Sequence, residues 1–270
     1  MKRRQLLKAA AAVSAISVKA SGEPSPLEII DSNVSLFRWP FRRLPLDETK
    51  TLVAKMRTLE IGSAMAGSFE GIFHRDLSAV NERLAKECSR FPELHPIGSV
   101  NPIASGWEGD FSECVEKHRM SGIRLHPGYH GYELDNPNFA KLIVMAAEAG
   151  VVIQLACALE DTRTQNDIVS VPDVDISALP DTGACRVQLL NWRPRGSVPS
   201  GVYLDTARID GTDGIASLLA TVSPGRILFG THAPFLIPEA ALIRAVHENQ
   251  LEEGPLRQIL AGNVNRLFGQ

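Results

Sequence analysis

The sequence predicts a single-domain α/β protein, a closed (β/α)8 barrel in which each parallel strand is followed by a helix. Three observations predict it. Eight short apolar runs rich in β-branched residues recur after Gly22. Helix-period stretches separate most of them. No glycine-rich phosphate loop follows an early run, which counts against the alternative, an open doubly wound sheet.

The expected strands are residues 29–34, 63–67, 97–100, 122–126, 151–157, 186–190, 202–206 and 227–230. Runs this short and this continuously apolar suit strands covered on both faces. The expected helices are 47–60, 77–89, 107–118, 138–149, 214–221 and 238–248, closed by 256–267. Segments 171–180 and 191–201 are rich in Pro, Gly, Ser and Asp, so the helices after strands five and six are expected to be short or missing.

With 270 residues, 44% of them hydrophobic, the chain has enough apolar surface for one large core. The net charge is −3, the pI is about 6.2 and no block of like charge occurs, so nucleic acid is not an expected partner. A small-molecule partner fits better, and assembly into oligomers stays open.

Residues 1–20 are expected to be a twin-arginine-type signal peptide and 21–26 a linker, with the barrel over 27–269. Lys2-Arg3-Arg4-Gln5-Leu6-Leu7-Lys8 precedes a mildly apolar run, and Val18-Lys19-Ala20 offers a cleavage site. The run is too short to span a bilayer. This implies export to the periplasm or another extracytoplasmic space; an Ala-rich first helix is the alternative. Cys88, Cys114, Cys157 and Cys185 have no short spacing and read as buried apolar residues.

A barrel presents the C-terminal ends of its strands in one mouth. Those ends offer Asp31, Asn33 and Ser35; Ser68 and Glu70; Asn101; Arg124 and His126; Gln154, Glu160 and Asp161; Asn191; Asp205; and His232. His126 and His232 are the candidate acid/base pair, with Asp205 as a third catalytic candidate, because imidazole changes charge near neutral pH. Arg124, Arg38 and Arg163 are candidate carboxylate forks, and Asn33, Asn191 and Tyr129 complete the candidate substrate-binding set. Each has a plainer reading: a histidine at a strand exit bonded to backbone, arginines paired within a lid, Tyr129 in a turn, and Glu160-Asp161 opening a helix.

The segment Arg226-Ile227-Leu228-Phe229-Gly230-Thr231-His232-Ala233-Pro234 resembles the last barrel strand of the amidohydrolase superfamily, in its amidohydrolase-2 branch, where the turn reads Gly-Thr-Asp-x-Pro. Gly122-Ile123-Arg124-Leu125-His126-Pro127, Gly201-Val202-Tyr203-Leu204-Asp205-Thr206 and Gly262-Asn263-Val264-Asn265-Arg266-Leu267-Phe268 share the resemblance. It implies a TIM barrel and a metal-activated water. Yet Asn33 and Ser35 stand where the family's strand-one pattern Asp-x-His-x-His has histidines. Ala156 and Asn191 stand at its strand-five and strand-six histidines, and His232 at its aspartate. Asn, Ser and Ala together make a poor zinc site, so no cofactor is expected and a divalent metal such as zinc is disfavoured.

Three readings follow. The first is a metal-independent hydrolase or lyase acting on a small carboxylate-bearing substrate by histidine acid/base chemistry, as the resemblance to the superfamily's metal-free lactonases implies. The second is a small-molecule-binding pseudoenzyme. The third is a metal hydrolase with ligands relocated to His126, Asp205 and His232 with Glu160 or Asp161.

Overall fold

The computed structural model describes residues 27–160, 171, 173–193 and 198–269. Its strands are β1 (Ile30–Leu36), β2 (Ser63–Ser68), β3 (Leu94–Pro96), β4 (Gly98–Ser99), β5 (Gly122–Leu125), β6 (Val152–Ala156), β7 (Arg186–Leu190), β8 (Tyr203–Asp205) and β9 (Ile227–Leu228). Each pairs in parallel with its neighbour in chain order, within a three-stranded and a six-stranded sheet. The two sheets are one ladder. β3 and β4 are pieces of the same barrel strand, interrupted at Ile97, whose N–H still donates to the Ala66 carbonyl at 2.8 Å.

Closure comes from β1 against the segment after β9. Ser32 N–H donates to the Phe229 carbonyl and Ser35 N–H to the Ala233 carbonyl, each at 2.9 Å, and Val34 bridges Ala233 in parallel. The fold is the expected eight-stranded barrel, with its third strand starting three residues before the expected Ile97 and broken there.

The helices are α1 (Thr49–Thr58), α2 (Glu70–Phe73), α3 (Leu77–Cys88), α4 (Trp107–Ser112), α5 (Pro127–His130), α6 (Pro137–Ala149), α7 (Gly214–Leu219), α8 (Pro238–Ile243), α9 (Glu253–Arg257) and α10 (Asn263–Phe268). Helix α3 is capped by the Asp76 carboxylate accepting from Ala79 N–H, and it buries Leu77, Val80, Leu84 and Cys88, one apolar stripe. The loop after strand four, read from sequence as a turn, is the helical turn α5. Pro127 starts it with a pre-set φ, and Gly131 ends it at φ 74°. As the composition of 171–180 implies, the only helical turn described between β6 and β7 is Ile176–Ala178, and none is described between β7 and β8.

Along the barrel axis the interior is layered. Ile30, Met65, Ile97, Val152 and Leu228 pack on Val264, Leu267 and Phe268 of α10, an apolar floor at the strand N-termini. Arg124, Gln154 and Gln188 form a polar middle. Trp39, Phe69, Ile72, Ala156 and Leu159, with Tyr129 and Phe235, form an apolar roof. Outside the strands a continuous core packs under the helices, each fully buried Leu or Ile contributing about 1.5–3 kcal/mol. Among the described residues no helix is long and apolar enough to cross a membrane.

Candidate active site

The polar middle layer is built by strand register. Arg124 of β5 lies opposite Gln154 of β6, and Gln154 opposite Gln188 of β7. Arg124 Nε donates to Gln154 Oε1 at 2.9 Å, and Gln154 Nε2 donates to Gln188 Oε1 at 2.9 Å and to the Ser32 carbonyl at 2.8 Å. The guanidinium continues across the axis, Nη1 donating to the Val34 carbonyl at 2.8 Å and to Ser35 Oγ at 3.1 Å, and Nη2 to the Met65 carbonyl at 3.3 Å. Its passage requires Gly67, where a Cβ would lie 2.6 Å from Nη1. Burial lowers the pKa of Arg124 to about 10, against the pull of Asp205 and Asp31, so the cation persists at neutral pH. Arg124 is therefore not the substrate fork expected from sequence, because every nitrogen faces a protein acceptor.

Above it, Asn33 Nδ2 donates to Asp205 Oδ2 at 2.6 Å and to Asn191 Oδ1 at 2.8 Å. Asp205 Oδ1 accepts from the N–H groups of Asn191 at 3.1 Å and Ala207 at 3.3 Å, and Asn191 Nδ2 donates to the Ala158 carbonyl at 2.8 Å. Gly230 makes the room, since a Cβ there would come within 2.9 Å of the Asp205 Cβ. Desolvation raises the Asp205 carboxyl to about 7, the hydrogen bond from Asn33 being the largest opposing effect. Asp31 accepts from Thr231 Oγ1 at 2.5 Å, Thr231 N–H at 3.0 Å and Asn33 N–H at 2.9 Å, and burial raises its pKa too. Asn33, Asn191 and Asp205, expected to meet a substrate, instead bond to one another.

These positions do not fit a metal. Asn33, Ser35, Ala156 and Asn191 supply amides, a hydroxyl and a methyl, and a guanidinium lies against Ser35. Among the described residues no group of three or more His, Cys, Asp and Glu side chains is placed to hold an ion. The relocated set of His126, Asp205, His232 and Glu160 does not converge into one either.

His126 follows β5 at the base of α5 and is 3% exposed, and among the described residues neither ring nitrogen has a partner. It lines a cavity of about 10 Å³ together with Tyr129, Ala156, Glu160 and Asp173, room for one water. Ala156 leaves that space where the family's pattern has a histidine. Burial holds His126 well below the usual imidazole pKa, with His130, Arg124 and His232 adding repulsion.

His232 is in the left-handed region, φ 55°, and its Nε2 lies 2.8 Å from the Leu159 carbonyl. Burial first, then Arg208, lowers its pKa to about 3. It lines neither cavity, so the expected chamber shared by His126, His232 and Arg124 does not form. The three interact only through their fields. Arg38 is also displaced from the expected site: its side chain is 64% exposed and lies 3.7 Å from Glu48 on the outside of the loop. Arg163 and Asp161 lie outside the described residues.

A larger cleft, about 440 Å³, opens beside the roof, lined by Arg42, Glu160, Arg208, Phe235, Ala240 and Arg244 among others. Leu159 and Glu160 belong to both the cleft and the His126 cavity and form the wall between them. Glu160 is 5% exposed, and its Oε1 accepts from Arg42 Nη1 at 2.9 Å. Its pKa is raised by burial, with Arg42 opposing. Sequence reasoning gives Arg244 no role and places Glu160 at the mouth as a helix start or a relocated metal ligand, not as an acid beside His126. The available signal was the acidic residue just past strand five.

By sequence, the chain matches no family model and no curated protein. By structure it is similar to 2,6-dihydroxybenzoate decarboxylase from Rhizobium, with TM-score 0.68 and 15% identity over 88% of this chain and 99% of that one. It is similar as well to 5-carboxyvanillate decarboxylase from Sphingomonas paucimobilis, with TM-score 0.69 and 11% identity over 90% of this chain and 99% of that one. The corresponding decarboxylase of Novosphingobium aromaticivorans, solved with manganese and 3-methoxy-4-hydroxy-5-nitrobenzoic acid, gives TM-score 0.69 and 12% identity over 94% and 100%. The fold is thus the barrel shared by these decarboxylases, the one the amidohydrolase resemblance implies.

Proposed function

We propose that this chain is an enzyme of the amidohydrolase superfamily, a lyase or hydrolase that acts on a small carboxylate-bearing substrate with its own acid and base groups instead of a metal. The observation that carries this reading is the pair His126 and Glu160 on one cavity wall, each pushed by burial toward its neutral form. A neutral imidazole accepts a proton and a neutral carboxyl gives one, so the two divide acid and base work at one place. Among the described residues neither nitrogen of this buried imidazole has a protein partner, which leaves both free to exchange a proton with whatever occupies the small cavity.

The lyase form is favoured by the likeness to decarboxylases of hydroxylated benzoates. In that reaction the bond between the carboxylate and its carbon breaks, carbon dioxide leaves, and the electron pair left behind takes a proton from an acid group. Glu160 is that acid, and the proton that restores it comes from solvent, relayed by His126 as one ring nitrogen takes a proton while the other gives one. The hydrolase form uses His126 as base toward a water in the small cavity. The size of that cavity favours the second reading, a binding protein without catalysis, since one water fills it.

The test is turnover. Purified protein, analysed for metal, is offered benzoates, hydroxybenzoates and small lactone carboxylates with and without chelator. Turnover without stoichiometric metal and insensitive to chelator is expected. No turnover with binding retained moves the reading to the pseudoenzyme, and turnover lost on chelation overturns the metal-free mechanism. The export reading rests on residues 1–20, outside the described residues; retention in the cytoplasm after Arg3→Lys with Arg4→Lys is its expected signature.

A further inference from the structure

The roof over the His126 cavity is built around one side chain of the segment between β1 and α1. Trp39 is wholly buried there, its indole between 5.0 and 6.0 Å from the rings of Phe41, Phe69, Phe73, Tyr129 and Phe235. It clusters with Ala156 and Leu159 as well, and Tyr129, Ala156 and Leu159 line the cavity, so the indole covers the cavity wall. We propose that residues 37–46 are a lid, closed in this structure, with Trp39 as its plug and the Arg42–Glu160 ion pair as its latch, and that a ligand reaches His126 only when this lid swings out. The inference rests on the proposed function in taking the His126 cavity for the site, and adds how that site is controlled.

The way this segment is attached argues for a lid. Residues 38–43 make no backbone hydrogen bond to another segment among the described residues. Arg38 and Arg43 reach only as far as the start of α1, to Glu48 at 3.7 Å and Asp47 at 2.5 Å. Arg42 crosses to the barrel, 2.9 Å from Glu160 and with its guanidinium 5.5 Å over the Phe235 ring. A segment joined to its surroundings by side chains alone opens at a lower free energy than a paired strand. Its ends are suited to a hinge. Phe37 leaves β1 at φ 69°, a strained conformation for a bulky residue, and Asp47 pins the other end by accepting from Arg43 and from Leu44 N–H. At the seam, Phe41 of the lid and Phe73 of α2 meet edge to face at 5.6 Å, both exposed.

Closure explains why the cavity is so small. As it stands it takes one water, too little for a substrate, and the polar layer beneath is bonded to itself. An indole swung outward vacates a seat of its own size beside His126, walled by the rings that held it. Plug and ligand then compete for one place. The apparent affinity for any ligand is reduced by the fraction of molecules whose lid is open, and loosening the lid raises it.

Cys157 lines the same cavity and reports its opening without any turnover. Burial raises its thiol pKa, so it stays unreactive until water reaches it. The whole chain is treated with N-ethylmaleimide under native conditions, and peptide mass spectrometry follows Cys157 against Cys114, a wholly buried cysteine of the outer core. Arg42→Gln breaks the latch and Phe41→Ser loosens the seam at an exposed position; each is expected to label Cys157 about tenfold faster than the wild type, with Cys114 unchanged. A Cys157 rate unchanged in both variants overturns the lid, as does a rise that Cys114 shares, the mark of global unfolding. Entry past Val171 and Val174, on the cavity's other side, gives that unchanged rate. For any carboxylate the wild type turns over, Phe41→Ser should lower KM about tenfold, and an unchanged KM beside faster labelling overturns the gating. Turnover with labelling unchanged in both variants removes the lid and leaves the proposed function. Faster labelling with no turnover by any of the three proteins leaves the lid and removes the function.

Discussion

Arg124 and Gln154 are register partners on β5 and β6, and the 2.9 Å hydrogen bond from Nε to Oε1 turns the guanidinium across the barrel axis toward β1 and β2. A fixed cation thereby occupies the centre of a barrel whose acidic groups, Asp31 and Asp205, sit within its field. It compensates charge as a metal would, yet it offers no open position for a water or a substrate. Its hydrogen bonds go to the protein's own acceptors, the Val34 and Met65 carbonyls, Ser35 Oγ and Gln154 Oε1.

Arg124→Met should therefore be costly. Removing one side of a buried charged network takes the Arg124 donors from the Val34 and Met65 carbonyls and the Gln154 amide oxygen, and such a loss costs about 3 kcal/mol or more. Urea unfolding of the variant should show that loss. A midpoint shift worth less than about 1 kcal/mol would mean the layer repacks around methionine, and the central cation is dispensable.

His126 should behave in the opposite way. His126→Leu removes a buried imidazole whose nitrogens have no partner among the described residues, and His126 makes no side-chain cap bond to α5. An apolar side chain of similar size there is expected to leave stability unchanged or raise it by about 1 kcal/mol, while turnover falls about a hundredfold or more. Paired thermal unfolding and assay check both. Loss of stability without loss of rate would make His126 a structural residue.

Strand count and strand order were legible because fully buried parallel strands are apolar throughout, as in Val151-Val152-Ile153 and Ile227-Leu228-Phe229. The break at Ile97 was legible only in Pro96 and Gly98, the breakers on either side of it. His126 was legible as a polar residue ending an apolar run, but the destination of Arg124 was not, because the same position in a strand serves a mouth or an interior. The missed clue lies in Gln154 and Gln188. Each is a lone amide inside an apolar strand, and with Arg124 they share one level of the sheet, the mark of a satisfied internal network. Arg42, Arg208 and Arg244 come from three separate segments, and only the fold brings them to one cleft.

Adding metal is the third prediction. A ligand that binds the folded state alone raises stability by RT ln(1 + [L]/Kd), about 2.7 kcal/mol at a hundredfold excess over Kd. With the Asn33 side chain committed to Asp205 and Asn191, the Asn191 side chain to Asn33 and the Ala158 carbonyl, and Ser35 to Arg124, millimolar manganese or zinc should leave the thermal midpoint within about 1 °C of the chelated protein. A rise of several degrees, reversed by chelator, would establish a site that these donors do not supply.

The last prediction concerns His232, whose ring faces the Leu159 carbonyl and neither cavity. Desolvation by burial, reinforced by Arg208, lowers its pKa from 6.5 to about 3. Its neutral form is thus required by the fold. A depressed folded pKa contributes stability that is present above 6.5 and lost as the pH falls toward 3, because the unfolded chain takes up the proton first. Asp205 works in the opposite sense: its raised pKa contributes stability below the ordinary carboxylate range that is lost as the pH rises through about 7. The sum of the two masks either one in the wild type alone. Comparison with His232→Asn removes Asp205 from the difference, and asparagine tolerates the left-handed φ of 55°. Between pH 7 and pH 5 the wild type should lose about 2 kcal/mol relative to the variant, measured by urea unfolding at each pH. Turnover of the variant should stay within about tenfold of the wild type, since the ring reaches no substrate space. Parallel stability profiles would show that His232 is solvated in solution. A rate loss of about a hundredfold with stability intact would return it to the catalytic role its place in the sequence suggests.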